Sequence, residues 1–263
     1  MSQKDSKYIA EICCGSYYDA LQAFKGGAER IELNSALALG GLTPTTATLR
    51  LVKENLPALK VIAMARPRGA GFCYTEEEFQ EMEAAARELL EAGADGIAFG
   101  CLNANASLDM EKNTRMVSII KEWGKEAVFH RAFDCVENPF VTAEQLIELG
   151  IDRVLTSGLK NKAIEGAGTI KKLQESYGSR IQILAGSGVN AGNVRELIRQ
   201  TKITQVHSSC KGWREDSTTV GKEVSYSMFE GEQELMYDVV SAELVRELVE
   251  LLATENPLSH GMN

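Results

Sequence analysis

Three segments repeat one short device: GGAERIEL at 26–33, AGADGIAF at 92–99 and LGIDRVLT at 149–156. Each follows an amphipathic stretch and carries a glycine, an acid two residues later, and then a short apolar run. The glycine suits the left-handed position just past a helix, and the apolar run has the length of a buried strand. A unit that turns a helix into a buried strand, used repeatedly, is half of a βαβ crossover.

Extending that reading gives strands near 8–13, 29–34, 60–65, 95–100, 126–130, 152–156, 181–185 and 204–208. Helical patterns alternate with them near 16–26, 45–54, 75–92, 109–123, 142–149, 161–177, 191–200 and 241–253. Alternation demands parallel strands and right-handed crossovers, and eight such units close a barrel with a side-chain-filled interior. The expected fold is therefore α/β, a (β/α)8 TIM-type barrel in one domain spanning 1–263, with an open doubly wound sheet as the alternative. Thr75 and Glu78 form a capping-box pattern ahead of an apolar stripe at Phe79, Met82, Ala86, Leu89 and Leu90. The stretch 211–240 is long for a strand-to-helix connection, so an extended loop, a lid or a subunit contact is expected there. A flexible tail is expected over 254–263, and His260 within it is set aside.

With 44% hydrophobic and 25% charged residues the chain can bury a large core. Its formal charge of −9, unrelieved by any Lys/Arg block, repels phosphate backbones and anionic lipid, so nucleic acid and membrane are not expected partners. The polar start MSQKDSK and the early Glu11 fit neither a signal peptide nor a membrane span, which points to the cytoplasm. Six cysteines with no C-x-x-C pair are expected to be thiols rather than a disulfide frame or a closed zinc site.

A parallel barrel strand is buried on both faces, so a charged residue within one must point into the lumen. Alternation puts Glu11 and Cys13 inward on the first strand, Glu32 and Asn34 inward on the second, Arg66 at the end of the third, His130 on the fifth and His207 on the eighth. Barrels place function at the C-terminal ends of their strands, and buried carboxylates such as Glu11 and Glu32 need cationic partners, for which Arg66, Arg68, His130 and Arg131 are available. The plain alternative is a satisfied polar plug that holds the strands in register. His130 has the ring chemistry of a general acid or base, with Asp134 placed to orient it. Gly186 and Gly188 end the seventh strand and Ser208 and Ser209 end the eighth, where barrels commonly bind phosphate, although a tight turn alone also explains the glycines. Cys13 and Cys14, with Met64 nearby, are soft donors of the kind that hold Cu(I) or zinc, whereas the remaining cysteines read as small core residues.

The motifs E-I-C at 11–13, GGAERIEL at 26–33, GGLTP at 40–44, RPRG at 66–69, FHRAFD at 129–134, LTSG at 155–158, GSGVNAGNV at 186–194 and HSS at 207–209 together make the chain resemble the CutC family of copper homeostasis proteins. The resemblance implies a TIM-type barrel, cytoplasmic residence, a homo-oligomer (dimer or tetramer) and a role in Cu(I) binding, with Cys13 as the family's E-[VI]-C cysteine. The family's E-L-C motif reads E-L-N here, with Asn34 in the cysteine's place. An amide is a poor Cu(I) donor, so a two-thiol site is not formed as such.

Two functions follow. One is a copper homeostasis protein that binds and buffers Cu(I) through Cys13, with help from Cys14 or Met64. The other is an enzyme acting on a small anionic, phosphorylated or sugar-like molecule: Arg66 and Arg68 clamp charge, the Gly186–Gly188 loop and Ser208 hold phosphate, and Glu11, Glu32, His130 and His207 exchange protons. A scaffold without ligand chemistry predicts no concave polar pocket.

Overall fold

A computed structural model describes residues 8–255, so the expected tail is described only as far as Glu255, and 256–263, with His260, lie outside the described residues. Eight parallel strands close into a barrel in chain order: β1 (Ile9–Cys14), β2 (Arg30–Leu33), β3 (Lys60–Met64), β4 (Gly96–Phe99), β5 (Glu126–Phe129), β6 (Arg153–Thr156), β7 (Gln182–Ala185) and β8 (Gln205–Ser208). The helices are α1 (Tyr17–Lys25), α2 (Thr46–Asn55), α3 (Glu76–Glu91), α4 (Met110–Glu122), α5 (Pro139–Leu149), α6 (Ala167–Tyr177), α7 (Val194–Thr201) and α8 (Ala242–Thr254). The (β/α)8 barrel expected from the sequence is the architecture found, and β1 pairing with β8 rules out the open sheet.

The repeated device has a visible physical role. Gly27, Gly93 and Gly150 all take left-handed φ, between +84° and +100°, as the chain leaves a helix. In the second and third copies the acid that follows ties the next strand to its neighbour. Asp95 Oδ2 accepts the Val61 N–H on β3 at 2.9 Å and Lys53 Nζ at 2.8 Å. Asp152 Oδ2 accepts the Ala127 N–H on β5 at 2.7 Å and Lys121 Nζ at 2.5 Å.

Helix boundaries depart from the sequence pattern at three places. α5 starts at Pro139, earlier than 142, because proline fits the first turn and Asn138 caps it. α6 starts at Ala167, not 161, because the chain crosses itself first: a Cβ on Gly166 would lie 1.9 Å from the Ser157 carbonyl. α7 starts at Val194, not 191. The capping box of α3 is present as expected.

Two apolar layers hold the barrel. The larger lies between strands and helices; the smaller, Ile62, Met64, Ala98 and Val128, fills the lumen on the side of β3 to β5. The other side of the lumen is polar. Beyond β8 the chain forms an antiparallel ribbon, β9 (Lys211–Glu215) with β10 (Met236–Val240), which pairs with no barrel strand. It is anchored where Asp19 Oδ1 accepts the Val240 N–H at 2.8 Å.

Candidate functional site

Side-chain parity is as the alternation requires, but the lumen holds its charges at two heights. Glu11 is level with Arg30, whereas Glu32 is level with Cys13, two residues further along. Glu11 therefore sits in the lower lumen, its Oε2 2.6 Å from Arg30 Nε and 3.7 Å from Arg153 Nη1. Arg30 Nη2 bonds Gln205 at 2.6 Å, and Arg153 bonds Gln182, Gln205 and Glu126. The expectation that Glu11 and Glu32 share one open mouth is corrected: Glu11 belongs to a buried, ion-paired polar plug with Arg30 and Arg153 and approaches the upper layer at His207, 3.9 Å away. Alternation fixes a residue's face but not its height.

Above the plug lies a cavity of about 580 Å³ lined by Cys13, Glu32, Asn34, Arg66, His130 and His207 among others. Four expected residues, Glu32, Arg66, His130 and His207, meet there with Cys13. The tightest constellation is Cys13, Glu32 and His207, whose donor atoms all lie within 4.8 Å of one another. His207 Nε2 is 3.2 Å from Glu32 Oε2. Asn34 Nδ2 donates to Glu32 Oε2 at 3.0 Å and toward Cys13 Sγ at 3.6 Å, so the residue in the missing cysteine's place braces the other donors. Gly41, at φ +85°, makes room for it: a Cβ there would lie 2.5 Å from Asn34 Oδ1.

The electrostatics follow from burial and pairing. Burial opposes ionisation of Glu32, but His207 and the Asn34 amide outweigh it and hold the carboxyl below its ordinary pKa. Burial likewise opposes charging His207, yet Glu32 and Cys13 raise its pKa well above that of a free imidazole. The Cys13 thiol is raised, by burial first, with His207 pulling the other way. His130 is pushed down to about 4, by burial and then by Arg66.

Other expected site residues lie elsewhere. Cys14, adjacent to Cys13, is on the opposite face of β1, buried in the core with its thiol toward the Ile12 carbonyl at 3.6 Å, so the two sulfurs do not converge. Arg68 pairs with Glu78 at 2.5 Å, outside the cavity. Asp134 does not orient His130; its oxygens accept from Thr156, Ser157, Leu159 and Arg131. Gly186 packs under His207, whereas Gly188 lines the cavity. Ser208 donates its hydroxyl to the Val189 carbonyl at 2.6 Å, which leaves it no proton for a phosphate. Parity could have found Arg30 and Arg153, which were missed. Phe72, Met228 and Phe229, also on the cavity wall, come from loops with no periodicity to reveal them.

The CutC family model matches residues 8–212. A CutC family protein of Treponema denticola is 43% identical over 209 residues, covering 80% of this chain and 84% of the relative. The Homo sapiens copper homeostasis protein cutC homolog is 37% identical over 208 residues, covering 79% and 75%. The crystal structure of CutC from Streptococcus agalactiae superposes with a TM-score of 0.73 at 31% identity, covering 77% of this chain and 98% of that one. No helix among the described residues is long and apolar enough to cross a membrane.

Proposed function

The chain belongs to the CutC family, and on that premise we propose that it serves copper homeostasis in the cytoplasm by binding and buffering Cu(I) as cargo at the barrel mouth. The observation that carries this reading is the convergence of Cys13, Glu32 and His207. A thiolate is the soft donor that Cu(I) prefers, and an imidazole is a competent second ligand. Cys13 is the principal donor, His207 the second, and Glu32 orients His207 and balances charge. Asn34 holds its amide N–H groups toward both the sulfur and the carboxylate, which fixes the donors without adding a thiolate. A homo-oligomer, dimer or tetramer, is part of the same proposal, and light scattering at micromolar protein tests it.

The test of copper binding is an anaerobic Cu(I) titration against a chromophoric chelator with wild type, Cys13→Ser and Cys14→Ser. The expected result is a loss of about tenfold or more in affinity for Cys13→Ser, with Cys14→Ser unchanged. Equal affinity for wild type and Cys13→Ser removes the site.

A further inference from the structure

The cavity wall carries three sulfur side chains, Cys13, Met64 and Met228. Met64, at the end of β3, is 4% exposed and packs in the small lumen cluster with Ile62, Ala98 and Val128. Met228 is the opposite case: it is 67% exposed and still lines the cavity, so its thioether is open to solvent and borders the mouth at once.

The chain around Met228 is braced. Ser227 Oγ lies 2.6 Å from the Phe229 and Glu234 carbonyls and accepts the Phe229 N–H at 3.2 Å. The Phe229 ring packs edge-on against Trp213 of β9, with centroids 5.0 Å apart and planes at 88°. Held neighbours on both sides fix where Met228 stands, while its exposure frees the choice of side chain from packing. What methionine adds over leucine at such a place is a soft sulfur donor.

In a reducing, thiol-containing solution Cu(I) moves by ligand exchange, in which the new donor touches the ion before the old one leaves. Cys13 is set into the wall, with Glu32 Oε2 at 3.9 Å and the Asn34 amide at 3.6 Å from its sulfur. A carrier that still holds the ion therefore meets the rim before it meets Cys13. We infer that Met228 is the entry ligand for Cu(I), its Sδ taking the ion from the carrier at the rim and passing it to Cys13. The inference rests on the copper reading of Cys13 and adds the route by which the ion arrives. In the first exchange the carrier–Cu bond breaks as the Cu–Sδ bond forms. In the second the Cu–Sδ bond breaks as the Cu–Sγ bond forms, and the Cys13 thiol proton goes to water. Copper stays Cu(I) throughout and no electron is transferred. A thioether has no proton to lose and carries no charge, so it holds the ion less tightly than a thiolate and the handover runs toward Cys13.

A relay of this kind lowers the barrier in both directions and leaves the end points alone. Anaerobic stopped-flow mixing of the metal-free full chain with the Cu(I)–bicinchoninate complex follows loading as the colour bleaches, and mixing the copper-loaded chain with excess bicinchoninate follows unloading. Met228→Leu, which keeps the apolar shape and removes the sulfur, is expected to slow loading and unloading alike by about tenfold or more, with equilibrium affinity within about twofold of wild type. Met228→Cys, which restores a soft donor, should load within about threefold of the wild-type rate. Wild-type rates in Met228→Leu overturn the inference, as does equal slowing in Met228→Leu and Met228→Cys. A loss of affinity in Met228→Leu that matches its slower loading makes Met228 a resident ligand and also overturns it. Absence of copper binding by the wild type, or affinity indifferent to Cys13→Ser, overturns the copper reading and this inference with it, whereas unchanged kinetics on top of Cys13-dependent affinity overturn this inference alone.

Discussion

His207 Nε2 and Glu32 Oε2 lie 3.2 Å apart in the wall of the barrel mouth, and each keeps the other charged. The signs follow from the two shifts. Glu32 has a lowered pKa, so its contribution to stability is present above the carboxylate's ordinary value and is lost as pH falls through the native one. His207 has a raised pKa, so its contribution is full below the ordinary imidazole value and is lost as pH rises through the native one.

Removing one partner leaves the other buried and unpaired. His207→Ala is expected to cost about 3 kcal/mol at neutral pH, read by urea denaturation. The double variant with Glu32→Gln should recover part of that loss. A cost equal to that of Glu32→Gln plus His207→Ala taken separately would show that the two side chains do not interact.

His130 carries the opposite pH signature. Its native pKa of about 4 lies below the ordinary 6.5, so the unfolded chain binds the proton more readily and stability falls as pH drops below that ordinary value. Relative to His130→Phe, the wild type should lose about 2 kcal/mol between about pH 7.5 and pH 5. Parallel denaturation curves at the two pH values check this, and a pH-independent difference would place the ring in contact with water.

Asn34 stands within 3.6 Å of the Cys13 sulfur. Asn34→Cys puts a second thiol beside the first, and Cu(I) affinity should rise by about tenfold or more under anaerobic, reducing conditions. Affinity unchanged by the new thiol would mean that Cys13 is not the copper donor.

Asp95 links Lys53 to the Val61 amide at the foot of β3. Asp95→Ala should destabilise the barrel by about 1–3 kcal/mol without altering copper binding, since the contact lies at the opposite end of the strands. A change in ligand affinity together with an unchanged denaturation midpoint would contradict that separation.

The sequence revealed the barrel because its punctuation is physical. A glycine that turns left-handed with an acid two residues on recurs at Gly27 and Glu29, Gly93 and Asp95, and Gly150 and Asp152, and Asp95 and Asp152 bond the neighbouring strand. Inward parity was equally legible, and it assigned Cys13, Glu32 and His207 to one face. Height was not, because it depends on the stagger between strands, and so Glu11 was expected one layer too high. Nor was the competition for hydrogen bonds, which takes Asp134 to Ser157 and the Ser208 hydroxyl to Val189. Those partners lie 19 or more residues away along the chain, where local pattern carries no information.

The ribbon of β9 and β10 bonds to itself and meets the barrel at its base, while the family match ends at 212, before most of it. Met228 and Phe229, carried by this appendage, nevertheless reach the cavity wall. What is admitted to the mouth can therefore be retuned by lengthening or exchanging this one flap, with every stave of the cylinder left in register.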